Sequence, residues 1–191
     1  MLNLATLQTA LQAWAASGTG LPCIWVNQHA PQPALNYCTL KMGPFRGVPG
    51  MGANTYVYDN TQPQGSEVQE TFTKDKEFTL TLECFTEALQ TTVAAPAISY
   101  LEQALITLGL FSTISSLFAA GISLVDADPA TDLTALVATD FQSRASVDIR
   151  FTVCDTVSVG HGYIEEAEIT PTISDPAGNV LDNTTIDVDV T

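Results

Sequence analysis

The chain has 191 residues, 46% of them hydrophobic and only 14% charged, with 21 carboxylates against six cationic side chains and a formal net charge of −15. A chain of that length buries roughly 70% of its extended surface as one domain with an appendage, so neither a metal nor a disulfide is needed to hold a core. The acidity excludes a surface that grips nucleic acid, because such affinity comes from Lys and Arg displacing counterions from phosphate, but it suits a wall along which DNA slides.

With so few charges, uncharged polar residues must cover much of the exterior. Burying Thr, Ser or Gln against a partner costs far less than burying an unpaired Lys or Glu, so this composition favours extensive interfaces. The N-terminal residues lack a basic region and a small-residue cleavage site, and no stretch approaches the ~20 apolar residues of a membrane span. The expectation is a soluble product made in a cytoplasm, with no membrane partner.

In chain order, Leu4, Leu7, Leu11 and Trp14 are spaced as one stripe of a helix over 2–16 that stops before Gly18 and Gly20. LPCIWVNQ at 21–28 and ALNYCTLKM at 34–42 read as two strands of a hairpin around Pro31 and Pro33. Residues 43–66 are rich in Gly and Pro, with only Tyr56 to Tyr58 able to pair, and predict an extended loop or arm. The aromatic residues Phe45, Tyr56 and Tyr58 give such an arm the means to make an ordered contact.

Between Thr71 and Thr86 the alternation of Phe78, Leu80, Leu82 and Cys84 with Thr79, Thr81 and Glu83 predicts a half-buried antiparallel strand. Pro96 suits the first turn of a helix over 95–108, with Ile98, Leu101, Leu105 and Leu108 as its buried stripe. A shorter helix over 112–120 and an apolar strand ISLVD follow. A second alternation places Ala145, Val147, Ile149, Phe151 and Val153 on one face, with Ser146, Asp148, Arg150 and Thr152 on the other. After a turn at Gly160 to Gly162, residues 163–170 predict another strand. Residues 173–191 form a C-terminal β extension that cannot bury a face alone, and is expected to pair with the parent sheet or a neighbouring subunit. Helices and strands segregate, which predicts an α+β fold: an antiparallel or mixed sheet with two to three helices on one face, a long arm, and the extension. The expected division is 1–172 and 173–191.

Candidate chemistry is sparse. Cys23, Cys38, Cys84 and Cys154 form no CxxC pair, and their expected state is free thiol, mostly buried; an intermolecular disulfide would need an oxidising environment after assembly. His29 and His161 sit in separate turns, and a Cys154–His161 pair has no motif behind it. Cys23, His29 and Cys38 are irregularly spaced for zinc. Asp126, Asp128 and Asp132 lack the glycine and the closing glutamate of a calcium loop, and read as a solvated turn. Glu165, Glu166 and Glu168, with Asp187 and Asp189, read as a solvated face or as an acidic lining. No catalytic residue, metal or cofactor is assigned.

The segment DFQSRASVDIRFTVCDTV, with Phe141, Arg144, Ala145 and the strand that follows, resembles the aromatic-x-x-Arg-Ala signature of tailed-bacteriophage neck and tail-terminator proteins. The order of the amphipathic N-terminal helix ending near Trp14, the Pro-containing hairpin ending in Tyr37, the Gly-rich arm, the strand EFTLTLECF and the helix ahead of the Arg-Ala strand is similar over about residues 1–170. The resemblance implies a virion protein of the phage neck, assembled in the host cytoplasm. It implies a ring, most simply of six copies, that caps the tail tube, docks the head connector and lets genomic DNA pass without specific binding. On that reading Arg144, Phe45, Arg46, Tyr56 and Tyr58 serve subunit contacts, Arg144 through a fixed ion pair within the fold or across the boundary. Glu165, Glu166, Glu168, Asp187 and Asp189 form the acidic surface or lumen. A head-completion or stopper protein, a tube or baseplate protein, and a small metal-dependent hydrolase are the other readings.

Overall fold

A computed structural model describes residues 2–26, 33–59, 61–63, 67–87, 97–137, 140–162, 166–169, 172–174, 177, 180–183 and 186–189. The chain forms two compact units, one of residues 1–53 and 73–156, the other of 54–72 and 157–191. The division expected at residue 172 falls inside the second unit.

Strands β4 (Val68–Glu87) and β8 (Asp140–His161) lie side by side in an eight-stranded mixed sheet. They run antiparallel, since partners that rise along β4 fall along β8: Lys76 with Asp155, Thr81 with Asp148, Glu83 with Arg144. In the first unit their alternation sorts the two faces. Phe78, Leu80, Leu82 and Cys84 of β4 and Ala145, Val147, Ile149, Phe151 and Val153 of β8 are buried on one face, and the intervening residues keep contact with solvent. Strands β2 (Tyr37–Met42) and β3 (Arg46–Tyr58) follow one another along the outer edge of β4. Strands β5 (Ile122–Ala127), β6 (Thr131–Asp132) and β7 (Ala135–Val137) follow the outer edge of β8.

Two elements differ from expectation. The glycine-rich segment expected as a loop is strand β3. Gly43 N–H donates to Thr79 at 2.8 Å and the Phe45 ring packs 5.1 Å from Phe78, so the start of the segment is pinned to β4. Strand β1 (Cys23–Trp25) pairs with β2 in parallel, Cys23 opposite Cys38 and Trp25 opposite Leu40, so the expected hairpin is absent. Pro31 lies outside the described residues.

Cys38 and Cys84 are joined by a disulfide, where free thiols were expected. Cys38 spends its N–H on the Pro22 carbonyl of the β1 side, so Cys38 and Cys84 are directly opposed without sharing a ladder bond. This kind of opposed pair brings side chains closest. The other cysteines, Cys23 and Cys154, are free.

Helix α1 (Leu4–Thr19) starts with the Asn3 side chain accepting from the Thr6 amide and ends at Gly20, whose φ of 69° closes the last turn. The helix runs through Gly18 because α2 (Ala97–Leu108) crosses there. A Cβ on Gly18 would sit 2.9 Å from Thr107 Oγ1 and 3.1 Å from Ala104 Cα. Trp14 Nε1 donates to Thr107 Oγ1 at 3.1 Å, and the Trp14 ring stands edge-on to Phe151, locking α1 to both α2 and the sheet. The Ser143 hydroxyl of β8 accepts from the first amide of α2 at 2.9 Å; Pro96 itself lies outside the described residues. Helix α3 (Phe111–Ala119) follows a sharp break and has Leu117 as its buried residue.

In the second unit the tail expected from residue 173 pairs with its own neighbours. Strands β10 (Thr172–Ser174) and β11 (Val180–Asn183) form one antiparallel pair, β9 (Glu166–Ile169) and β12 (Ile186–Asp189) another.

Two predictions follow from close approaches in the first unit. Gly18→Leu forces α1 and α2 apart and should lower unfolding stability by about 1–3 kcal/mol in urea titrations, whereas the exposed Ser17→Ala should be near neutral. Reducing the Cys38–Cys84 bond, which closes 46 residues of sequence, should cost about 2–4 kcal/mol. Cys38→Ala should show the same loss and no further response to reductant.

Candidate functional site

The open face of the β4–β8 pair carries a ladder of polar partners within the first unit. Arg144 donates through Nη2 to Glu83 Oε2 at 2.8 Å, and its guanidinium lies 5.1 Å from the centre of the Phe85 ring. Phe85 in turn stacks on Tyr37. Arg144 is therefore clamped by an ion pair and an aromatic face of its own chain, the intramolecular one of its two expected partnerships. Thr81 Oγ1 donates to Asp148 at 2.6 Å and Arg150 to Asp126 at 2.7 Å.

The Arg150 guanidinium beside Asp126 and the Thr134 hydroxyl beside Asp132 hold those carboxyls below the usual carboxylate range. Both groups are thus spent on local structure and do not converge on a cation. Among the described residues there is no group of three or more His, Cys, Asp or Glu side chains able to hold a metal. Cys154 is exposed, with its sulfur 3.8 Å from the Thr156 hydroxyl. His29 lies outside the described residues.

At the other end of the buried face, the Lys76 ammonium donates to Asp155 at 2.6 Å, and the Leu2 amide donates to the second carboxylate oxygen at 2.8 Å. These bonds, Lys76 first, hold the Asp155 carboxyl below its ordinary value and tether the chain just ahead of α1. A depressed carboxylate stabilises the fold above its unfolded pKa of about 3.9, and the contribution is lost as pH falls through the lower folded value.

In the second unit Glu70 bridges two strands. Tyr56 Oη donates to its Oε1 at 2.9 Å, and His161 Nε2 lies 2.9 Å from Oε2. The Glu70 carboxylate pushes the Tyr56 phenol up from its ordinary value. Thr71 and Ser158 hydroxyls meet at 3.0 Å one step along. Tyr56 and Tyr58 remain more than half exposed on β3, and Arg46 is exposed at its start, whereas Phe45 is half-buried against Phe78.

The backbone register of β9 and β12 sets Asp187 opposite Glu168 and Asp189 opposite Glu166. By the two-residue period of strands, all four acidic positions share one face of the ribbon, and Ile186, Ile169, Val188 and Ala167 occupy the other. Glu165 lies outside the described residues.

Sequence reasoning missed Glu70, which alternation alone does not mark, and the partner of Arg144, Glu83, which the strand pattern had placed only on a face. It also missed the exposure of α3, although the absence of charge between Glu102 and Asp126 is a legible signal.

An α+β chain in which Lys76, Arg144 and Arg150 are each paired to a carboxylate of the same chain, and whose distinctive features are faces and edges, belongs to the class of structural proteins that work by contact. The chain matches the model of the phage neck terminator protein family over residues 5–177 and belongs to that family. It is a structural phage family and not a known enzyme family; membership places the chain in the tail and neck of the virion, in contact with other tail or head proteins. No curated protein matches the chain.

The Asp155 tether yields a pH test. Asp155→Asn should lower stability at pH 7, and the difference from the parent should shrink as pH falls below about 4, because the parent loses the same contribution there. Urea midpoints measured at both pH values check it; a gap that stays constant across the range would exclude the ionised Asp155 as its cause.

Proposed function

We propose that this neck protein is a tail terminator whose copies join head to tail into a closed ring, most simply a hexamer. The ring caps the finished tail tube, presents a docking surface to the head connector and leaves a passage for the genome. The observation that carries the reading is the family match across residues 5–177, which spans both compact units.

Two features support the details. Strand β3 pairs with β4 on one side only, and its exposed Tyr56, Tyr58 and Arg46 give that edge the means to reach a neighbouring copy. Arg144, held by Glu83 and Phe85, shapes the sheet face at such a boundary by fixing its neighbours. The acidic face of the β9–β12 ribbon is the lining we assign to the passage, since carboxylates repel phosphate and keep DNA from adhering. Nothing in this mechanism is chemical; it is the geometry of a closed contact.

Light scattering of the purified protein, alone and with tail-tube protein, tests the proposal. A discrete ring mass in either condition is expected. A strict monomer in both would overturn it, and open-ended filaments would move the chain to a tube protein.

A further inference from the structure

Helix α3 has more apolar surface outside than inside. Of its nine residues Leu117 is buried, whereas Phe111 is 85% and Phe118 73% exposed, and Ile114 is half exposed. The spacing 111, 114, 118 makes these three a single stripe. The end of α2 adds Ile106, 72% exposed, whereas Leu110 at the break belongs to the groove on the other flank. A helix this short is marginal in water without packing, and the N-cap position, Leu110, offers no side-chain bond to it. On the opposite flank of α3, Ser116 faces a groove of about 350 Å³ against α1, lined by Ala10, Ala13, Trp14, Ser17, Gly18 and Leu110.

We infer that this elbow is a contact between copies, the stripe of one chain seating in the groove of the next. The inference rests on the ring reading and assigns it a surface. Charge selects the occupant. The chain carries −15 overall, yet no charged residue occurs between Glu102 and Asp126. Two identical acidic chains repel wherever carboxylates meet, and this is a large apolar surface on which they can touch without that penalty. A basic partner would have no reason to choose it.

Size agrees. The four large apolar side chains of the stripe, Ile106, Phe111, Ile114 and Phe118, each at least half exposed, present roughly 500 Å². Two such faces in contact reach about 1,000 Å² or more, the lower bound of a specific interface. The small residues of the groove leave space for an incoming aromatic ring. Because stripe and groove occupy opposite flanks of one helix, each copy can give its stripe to one neighbour and its groove to another. That is a heterologous contact, the kind that closes rings.

The test uses the full chain. Phe111→Glu with Phe118→Glu disables the stripe at two exposed positions, and Ser116→Trp fills the groove; circular dichroism melts verify that both variants fold. Each alone should assemble about thirtyfold or more less tightly than the parent, as expected for loss of a hot-spot aromatic or its seat. An equimolar mixture of the two should form dimers and stop there, since one intact stripe still meets one intact groove. If the parent forms rings and both variants form them equally well, the elbow is not the contact and the ring reading survives. A parent that stays monomeric alone and with tail-tube protein defeats the ring reading itself, and this inference with it. Flotation of the parent with phosphatidylcholine vesicles, lost in the Phe111→Glu, Phe118→Glu variant, would overturn the inference in favour of a lipid surface.

Discussion

The pairing of β4 with β8 is the constraint on which the first unit depends. Both strands alternate strictly, so their side-by-side register decides at once which residues form the core and which form the open face. A slip of one residue would carry Phe78, Leu80 and Leu82 to solvent and Glu83 inward. The polar partners on the open face, Thr81 with Asp148 and Glu83 with Arg144, are satisfied only in the observed register. Apolar burial and polar pairing therefore specify the same alignment. The helices follow from it: the Phe78 and Phe151 rings stack, Trp14 stands edge-on to Phe151, and Gly18 lets α2 close over α1.

Charge economy organises the surface. Of the six cations, three fill four roles: Lys76 holds Asp155, Arg144 holds Glu83 and covers Phe85, and Arg150 holds Asp126. Exposed pairs of this sort contribute little stability individually. Their effect is to neutralise carboxylates on the sheet, whereas the register of β9 and β12 sets acidic positions opposite acidic positions. On the proposed ring reading, a protein that touches copies of itself and stands beside DNA uses both kinds of surface, one without charge and one with charge of a single sign.

Much of the first unit was legible in the sequence because its signals are periodic. The stripe of α1, the alternation of β4 and β8 and the segregation of helices from strands each follow from side-chain spacing, and together they determined the α+β class and most of the core, although Leu4 is exposed and α2 turns Ala97 and Ala104 inward where Ile98 and Leu105 were expected. The resemblance carried by Phe141, Arg144 and Ala145 pointed to the family that residues 5–177 match. The acidic candidates Glu166, Glu168, Asp187 and Asp189 were visible as composition.

What only the tertiary structure decided are the relations between segments distant in sequence. Glycine and proline between 43 and 58 argue locally for a loop, but the unpaired edge of β4 offers hydrogen bonds that local propensity does not count, and the segment becomes β3. Parallel pairing of β1, the opposition of Cys38 to Cys84 and the passage of α1 through Gly18 depend likewise on partners 15 to 90 residues away. The same holds for the acid ladder, since a sequence shows that two carboxylates alternate and only a register shows that they are opposed. Periodicity reports which side of an element is apolar; which element covers that side is settled by chain topology, and among the described residues nothing covers the outer stripe of α3.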